Sequence, residues 1–257
     1  MVAALATPAK FDSGAPAVRV AAALDCYRSN VDQAADWVHP SWMAASLDVP
    51  EQSLVNWRDM LACASPDIAA RCSRALVSAL GVAPPAIAAL SQGGFMRAGP
   101  VSAAQPNAAL LDVVPAGLAM QICRMRALLL RRGDVRRLID RRAQRRLAEW
   151  TGLDLDRLMS GSNPDSANDI ARLAAASMPP LAAVDADKLA VEGMLLMLRD
   201  LNVAGALPFP LARLALPRHL AVPAWFNALP TQHDEAGTGR LFRRLPELLQ
   251  EWAWLFG

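Results

Sequence analysis

The chain has 257 residues, 54% of them hydrophobic and 19% charged, with a formal net charge of only +2. That is long and apolar enough to bury a substantial core, and it excludes a disordered, charge-rich tail. The apolar excess is mainly Ala and Leu, aromatics are 5%, and β-branched residues are sparse, which favours helices over strands.

The expected fold is therefore mostly α: a compact multi-helix single domain over residues 17–257, behind a mobile leader at residues 1–16 that holds Thr, Ser, Gly and two Pro. The leader lacks the basic and apolar regions of a secretory signal, and no apolar run is long enough to span a membrane. Cys26, Cys63, Cys72 and Cys123 form no C-x-x-C pair and are expected to be buried free thiols.

In chain order, residues 18–37 read as a helix that stops before the His39-Pro40 step, because the residue before proline is pushed out of the α region. Helices are expected at 50–62 and at 65–81, the latter with Ser65 as N-cap, Pro66 at its first position and Gly81 as terminator. Residues 91–107 hold three Gly and two Pro and read as a loop. A broad apolar helix at 115–133 closes at Gly133, and Asp134 is placed to cap a second helix running to about Trp150 and ending at Gly152. Short helices are expected at 153–161 and 165–177, then a longer one at 184–205. Five prolines break residues 207–230, where 209–225 reads as an extended or short strand segment. After a loop at 231–239, the terminal 244–257 reads as a docking helix with Leu248, Leu249, Trp252, Leu255 and Phe256 on one face and Pro246 near its first turn.

Chemistry-bearing motifs are scarce. His39, His219 and His233 have no metal-ligand spacing, and there is no nucleophile elbow, P-loop or strand-linked glycine fingerprint. The pairs Asp154/Asp156 and Asp185/Asp187 sit at helix starts, where capping accounts for them. The expectation is a protein that is not an enzyme and that uses no metal and no cofactor.

Charge is distributed unevenly. Residues 118–150 carry ten Arg against three acids, a net of +7, while residues 1–117 sum to −2 and 151–257 to −3. Such a stripe can meet nucleic-acid phosphates, an acidic protein, lipid headgroups or the chain's own acids. At 100° per residue from Val135, Leu138, Ile139, Ala143, Leu147 and Trp150 share one apolar arc, and Arg137, Arg141 and Arg145 line the opposite face. Arg142 and Arg146 fall inside the arc. Either their stems snorkel outward or they meet carboxylates, because an unpaired buried guanidinium is too costly. A loose helix-turn-helix likeness over 134–159 opens a DNA-binding regulator as an alternative, although the second helix carries two acids near its start.

Three stretches in order, "WVHPSW" at 37–42, "CRMRALLLRRGDVRRLID" at 123–140 leading into "RRLAEWTGLDLDRL", and "LARLALPRHLAVPAW" at 211–225, together resemble the SctK family of bacterial type III secretion, in its Hrp-type branch. The resemblance implies a cytoplasmic, non-enzymatic adaptor of the sorting platform at the cytoplasmic face of the inner membrane. It would link the inner-membrane ring protein's cytoplasmic domain to the pod protein that carries stator and export ATPase. The family motif falls on Trp37, His39, Pro40 and Trp42 and on Gly133, Arg136 and Arg137. Candidate partner-binding residues are accordingly Arg136, Arg137, Arg141, Arg142, Arg145 and Arg146, with Trp37, His39 and Trp42. A secreted effector using the leader is a further alternative.

Overall fold

The computed structural model describes residues 16–96, 104–160, 177–202, 207–230 and 233–257. It is a mostly α fold, as the composition predicts. The leader (save Pro16), the middle of the 91–107 loop and, save Ser177, the helix expected over 165–177 lie outside the described residues.

Two helices form the centre. Helix α7 (Ala116–Leu130) buries residues around its whole circumference, and α11 (Ala186–Asp200) packs along it. The two meet backbone to backbone: a Cβ at Gly193 would stand 1.7 Å from the Cys123 carbonyl oxygen, so this position requires glycine. Helix α11 begins as expected, with Asp185 accepting from the Lys188 N–H at 2.8 Å. Around this pair lie α6 (Ile87–Leu90), α9 (Arg141–Thr151), α10 (Leu155–Met159) and α14 (Gly237–Leu248), which contribute Leu90, Leu147, Leu158, Leu241, Phe242 and Leu245 to one continuous core.

A second cluster occupies the N-terminal part. Helices α1 (Pro16–Asp32), α2 (Ala34–Trp37), α3 (Pro40–Leu47), α4 (Trp57–Ala62) and α5 (Pro66–Ala79) surround Tyr27, Ala34, Val38, Met43 and Val77. The short α12 (Pro210–Arg213) with the turn after it delivers Leu211 and Leu214 to the same cluster. A smaller third cluster forms around α13 (Ala224–Ala228), where Trp225 and Leu229 meet Leu130 and Leu196.

The structure redraws several boundaries. The first expected helix is broken at Gln33 into α1 and α2. Residues 50–62 divide into a 3-10 turn, Glu51–Leu54, and α4. Helix α5 follows Ser65 with Pro66 in its first turn, though the Ser65 side chain makes no capping bond, and Gly81 takes a left-handed φ of 67° after it. Among the described residues, 209–225 contains no strand: it is α12, irregular chain and the start of α13. A small sheet lies in the predicted loop instead, where β1 (Phe95–Met96) pairs antiparallel with β2 (Gln105–Pro106). Prolines at 210, 217 and 223 remove backbone donors that a strand in 209–225 would need.

At the C-terminus, α14 starts well before residue 244, so Pro246 sits inside the helix rather than in its first turn. The chain then turns through a 3-10 segment, Gln250–Trp252, into α15 (Ala253–Phe256). Docking is as expected: Phe256 meets Phe242 edge to face at 6.0 Å, and its carbonyl accepts from the Gly94 N–H at 2.9 Å. Of the cysteines, Cys123 is buried, Cys26 and Cys72 are half-buried and Cys63 is exposed, which corrects the expectation for Cys63. Complete removal from water pushes the Cys123 thiol up to about 12.

Candidate functional site

The arginine-rich stretch contains two helices and two joints where the sequence predicts one of each. Helix α7 ends at Leu130 and, after the single cap residue Arg131, α8 (Arg132–Arg137) begins, with Gly133 buried inside it rather than terminating α7. After α8 the chain is extended at Leu138, and α9 starts at Arg141. Asp140, not Asp134, is the N-cap: its Oδ1 accepts from the Arg142 N–H at 2.9 Å. Gln144 reaches back to donate to the Leu138 carbonyl at 2.6 Å. Helix α9 ends, as expected, at Gly152 with φ 69°.

This second joint breaks the periodic arc. Leu138 packs against the core and Leu147 is buried, but Ile139 is 92% exposed. Arg142 is also exposed, so it is not the buried guanidinium the arc predicts. Arg146 is half-buried, and its Cζ stands 5.1 Å from the Trp150 ring centroid. Among the described residues, neither Arg142 nor Arg146 makes an ion pair.

The resulting surface is a ridge on which Arg136, Arg137, Arg141, Arg142 and Arg145 are all exposed. Beside it runs a groove of about 440 Å³. Arg136, Arg141 and Arg145 line it together with Asp154 and Asp156, over a floor that includes Val135, Ala148 and Leu155. Asp154 caps α10 by accepting from the Asp156 N–H at 2.8 Å, as the sequence predicts.

Two arginines of the stripe, Arg126 and Arg131, are answered by acids in the interior, and neither is a residue the sequence singled out. Arg126 is fully buried; its Nη2 meets Asp200 Oδ2 at 2.7 Å and its Nη1 meets Asp234 Oδ2 at 2.8 Å. Asp200 Oδ2 also accepts from the Thr238 N–H at 3.1 Å and its hydroxyl at 2.6 Å, at the start of α14. A Cβ at Gly237 would stand 2.4 Å from Arg126 Cζ, so glycine makes room for the guanidinium. Arg131 forms a two-pronged pair with Glu192, at 3.0 and 2.7 Å, and donates to the Pro179 carbonyl at 2.7 Å. Burial pushes the Glu192 carboxyl up, and the Arg131 charge opposes that shift. Arg124 is largely covered and donates to the carbonyls of Ala186 and Trp150 at 3.0 and 3.1 Å; burial lowers its pKa. Without these three, the surface part of the stripe, residues 132–150, carries +4 rather than +7.

Trp37, His39 and Trp42 come together elsewhere, and they bring two of the three resemblance stretches into contact. His39 is the N-cap of α3: its Nδ1 accepts from the Ser41 N–H at 3.2 Å, and its own backbone N–H donates to Leu214 at 2.8 Å. The Trp42 indole N–H donates to the Leu216 carbonyl at 2.8 Å, and Ser41 Oγ accepts from the Arg218 N–H at 2.9 Å. Arg213 covers this joint from inside, its Cζ 5.2 Å from the Trp42 ring centroid, and it donates to the carbonyls of Leu216 and Arg218 at 3.1 and 2.9 Å. Burial lowers its pKa. Trp37 is half-buried against the N-terminal cluster. The motif thus works as a clasp between residues 37–42 and 211–218.

Beneath the clasp lies a buried acid. Asp112, which ends the 3-10 turn Ala108–Asp112, accepts the Ala212 N–H on Oδ1 at 2.7 Å, while Oδ2 has no hydrogen-bond partner among the described residues. Burial drives its carboxyl up to about 7, against the opposing pull of the Ala212 and Leu211 backbone donors. Burial and the Asp112 charge raise Tyr27 to about 12. Asn30 spans the same turn, its Nδ2 donating to the carbonyls of Asp112, Val113 and Val114 at 3.0, 3.0 and 2.7 Å.

Interior arginines were findable from sequence by the rule applied to Arg142: a cation inside an apolar helix needs an acid. Arg126 lies in "CRMRALLL", where apolar residues surround it more completely than they surround Arg142. Among the described residues, no group of three or more His, Cys, Asp or Glu side chains is placed to hold a metal ion, and no helix is long and apolar enough to cross a membrane.

No curated protein and no solved structure matches the chain. A family model does, over residues 14–251, which include the clasp, the central helix pair and the arginine ridge: the chain belongs to the HrpB4 family of bacterial type III secretion proteins.

Proposed function

We propose that the protein is a non-enzymatic adaptor of the type III secretion sorting platform. In this reading it works at the cytoplasmic face of the inner membrane, linking the ring protein's cytoplasmic domain to the pod protein that carries stator and export ATPase. Family membership over residues 14–251 supports a role within the secretion system. The observation that carries the adaptor reading is the ridge. Helix α9 commits Leu147 to the core and its capping acid to its own first turn, yet α8 and α9 together leave five arginines facing outward. A fold that satisfies Arg126 and Arg131 internally while leaving Arg141, Arg142 and Arg145 exposed is suited to an acidic protein surface, with Arg136, Arg141 and Arg145 beside the groove as the first contacts. Trp37, His39 and Trp42 then act at one remove, by holding the clasp.

The test is co-purification of the full chain with the pod protein and, separately, with the ring protein's cytoplasmic domain. The wild type is expected to retain at least one, and an Arg136→Ala/Arg141→Ala/Arg145→Ala variant to lose it. No association of the wild type with either would end the adaptor reading. Full retention by the triple variant would remove the ridge from it.

A further inference from the structure

Ile139 is held out of the fold by design of the α8–α9 joint. Leu138 on one side is anchored in the core, its carbonyl is tied down by Gln144, and Asp140 on the other side is fixed as the N-cap of α9. Between these fixed neighbours, Ile139 projects with 92% of its surface exposed, the highest value among the exposed large hydrophobic residues that are described. Exposed Arg137, Arg141 and Arg142 stand within three residues of it.

We propose that this joint is a docking knob. Ile139 enters an apolar pocket on a folded protein partner, and Asp or Glu carboxylates on the pocket rim meet Arg137, Arg141 and Arg142. The proposal rests on the adaptor reading only for the partner's identity.

Three observations favour a protein over a bilayer or a duplex. A helix lying on a membrane buries a full apolar face in it, but the apolar side of α9 is already committed to the core through Leu147, which leaves one isoleucine. The ridge also carries acids: Asp140 and Glu149 are exposed, and Asp154 and Asp156 line the adjoining groove. These would repel lipid or nucleic-acid phosphates, whereas alternating signs fix register against a protein surface. Finally, a desolvated apolar centre ringed by guanidiniums that can grip carboxylates in a planar, two-pronged way matches the composition of protein interface hot spots.

The experiment places a photo-crosslinking amino acid at position 139 of the full chain, in cells with an assembled secretion apparatus, and maps the adduct. An adduct on the pod protein or the ring protein's cytoplasmic domain, at an apolar site flanked by Asp or Glu, supports both the knob and the adaptor reading. An adduct at such a site on a different apparatus protein supports the knob and counts against the adaptor linkage. Absence of any adduct, or adducts to lipid or nucleic acid alone, overturns the knob. With the crosslinked partner purified, Ile139→Asp and Arg142→Glu are each expected to raise Kd about tenfold or more, and reversing the mapped carboxylate to Arg should restore binding to Arg142→Glu. Ile139→Ala serves as a milder second variant. Affinities within twofold of wild type for both Ile139 variants overturn the knob while leaving the adaptor reading intact.

Discussion

The interior and the ridge use the same residue in opposite ways. Arg126 and Arg131 sit at 0% side-chain exposure and are matched by Asp200, Asp234 and Glu192. A few residues further on, Arg137, Arg141 and Arg142 face water. A buried guanidinium with its acid in place fixes how helices meet, because any other arrangement strands a charge in low dielectric. An exposed one fixes nothing in its own fold. The difference teaches that the count of arginines is a poor guide to function here, and that their distribution between acids inside and solvent outside is the informative quantity.

The largest expected effect breaks the interior half of that contrast. Arg131→Ala leaves Glu192 buried without its cation and should destabilise the fold by about 3 to 5 kcal/mol in urea denaturation. Replacing both partners together, Arg131→Met with Glu192→Leu, should recover most of that loss, because the cost lies in the orphaned charge rather than in the missing attraction. A double variant as unstable as the single one would show that the pair has a packing role that apolar side chains cannot fill.

Asp112 supplies a buried acid with no arginine, so it sharpens the contrast through pH. Its folded pKa of about 7 lies above the unfolded carboxylate value of about 3.9. The folded state therefore holds this proton more tightly. The stability it contributes is complete below the unfolded value and is lost as pH rises through 7. Asp112→Asn mimics the protonated form, so its stability relative to wild type should increase by about 2 kcal/mol between pH 5 and pH 8, measured by denaturant titration at both pH values. An unchanged difference between variant and wild type would mean that the carboxyl ionises freely in the fold.

The clasp should show a smaller effect. Trp42→Phe keeps the ring under Arg213 but removes the donor to the Leu216 carbonyl, and is expected to lower stability by about 1 kcal/mol. Thermal melts of the two proteins side by side decide it. No change would mean that water replaces the indole at that carbonyl.

Much of this architecture was legible in the sequence because local chemistry wrote it. Asp154 and Asp185 cap helices, Gly81 and Gly152 take left-handed turns, and a helix closes before the His39-Pro40 step, although the helix that opens at Pro40 was not foreseen. What failed were inferences that needed long-range partners. Leu138 and Ile139 fit a helical period, but the Asp140 cap and the Gln144 tether override it and turn Ile139 outward. Arg126 could be flagged as needing an acid, yet nothing local points to Asp200 or Asp234, which lie 74 and 108 residues away. The contact between residues 37–42 and 211–218 was equally hidden, since the hydrogen bond that defines it spans 174 residues.

The smallest expected effect is the one that defines the ridge. Arg141→Ala/Arg142→Ala/Arg145→Ala should change folding stability by no more than about 0.5 kcal/mol per site, the usual range for surface positions. Two terms oppose each other in that figure. Alanine has the higher helix propensity, and removing three like charges from adjacent turns relieves repulsion, both of which favour the variant. Against this, Arg stems cover some apolar surface along α9, and that cover is lost. The Asp140 cap accepts from the Arg142 backbone rather than its side chain, so the substitution leaves it in place. Near-cancellation is therefore expected in urea titrations of the isolated protein. A loss of several kcal/mol would mean that these guanidiniums, like Arg126 and Arg131, are answered by acids within the chain, and the distinction between ridge and interior would collapse.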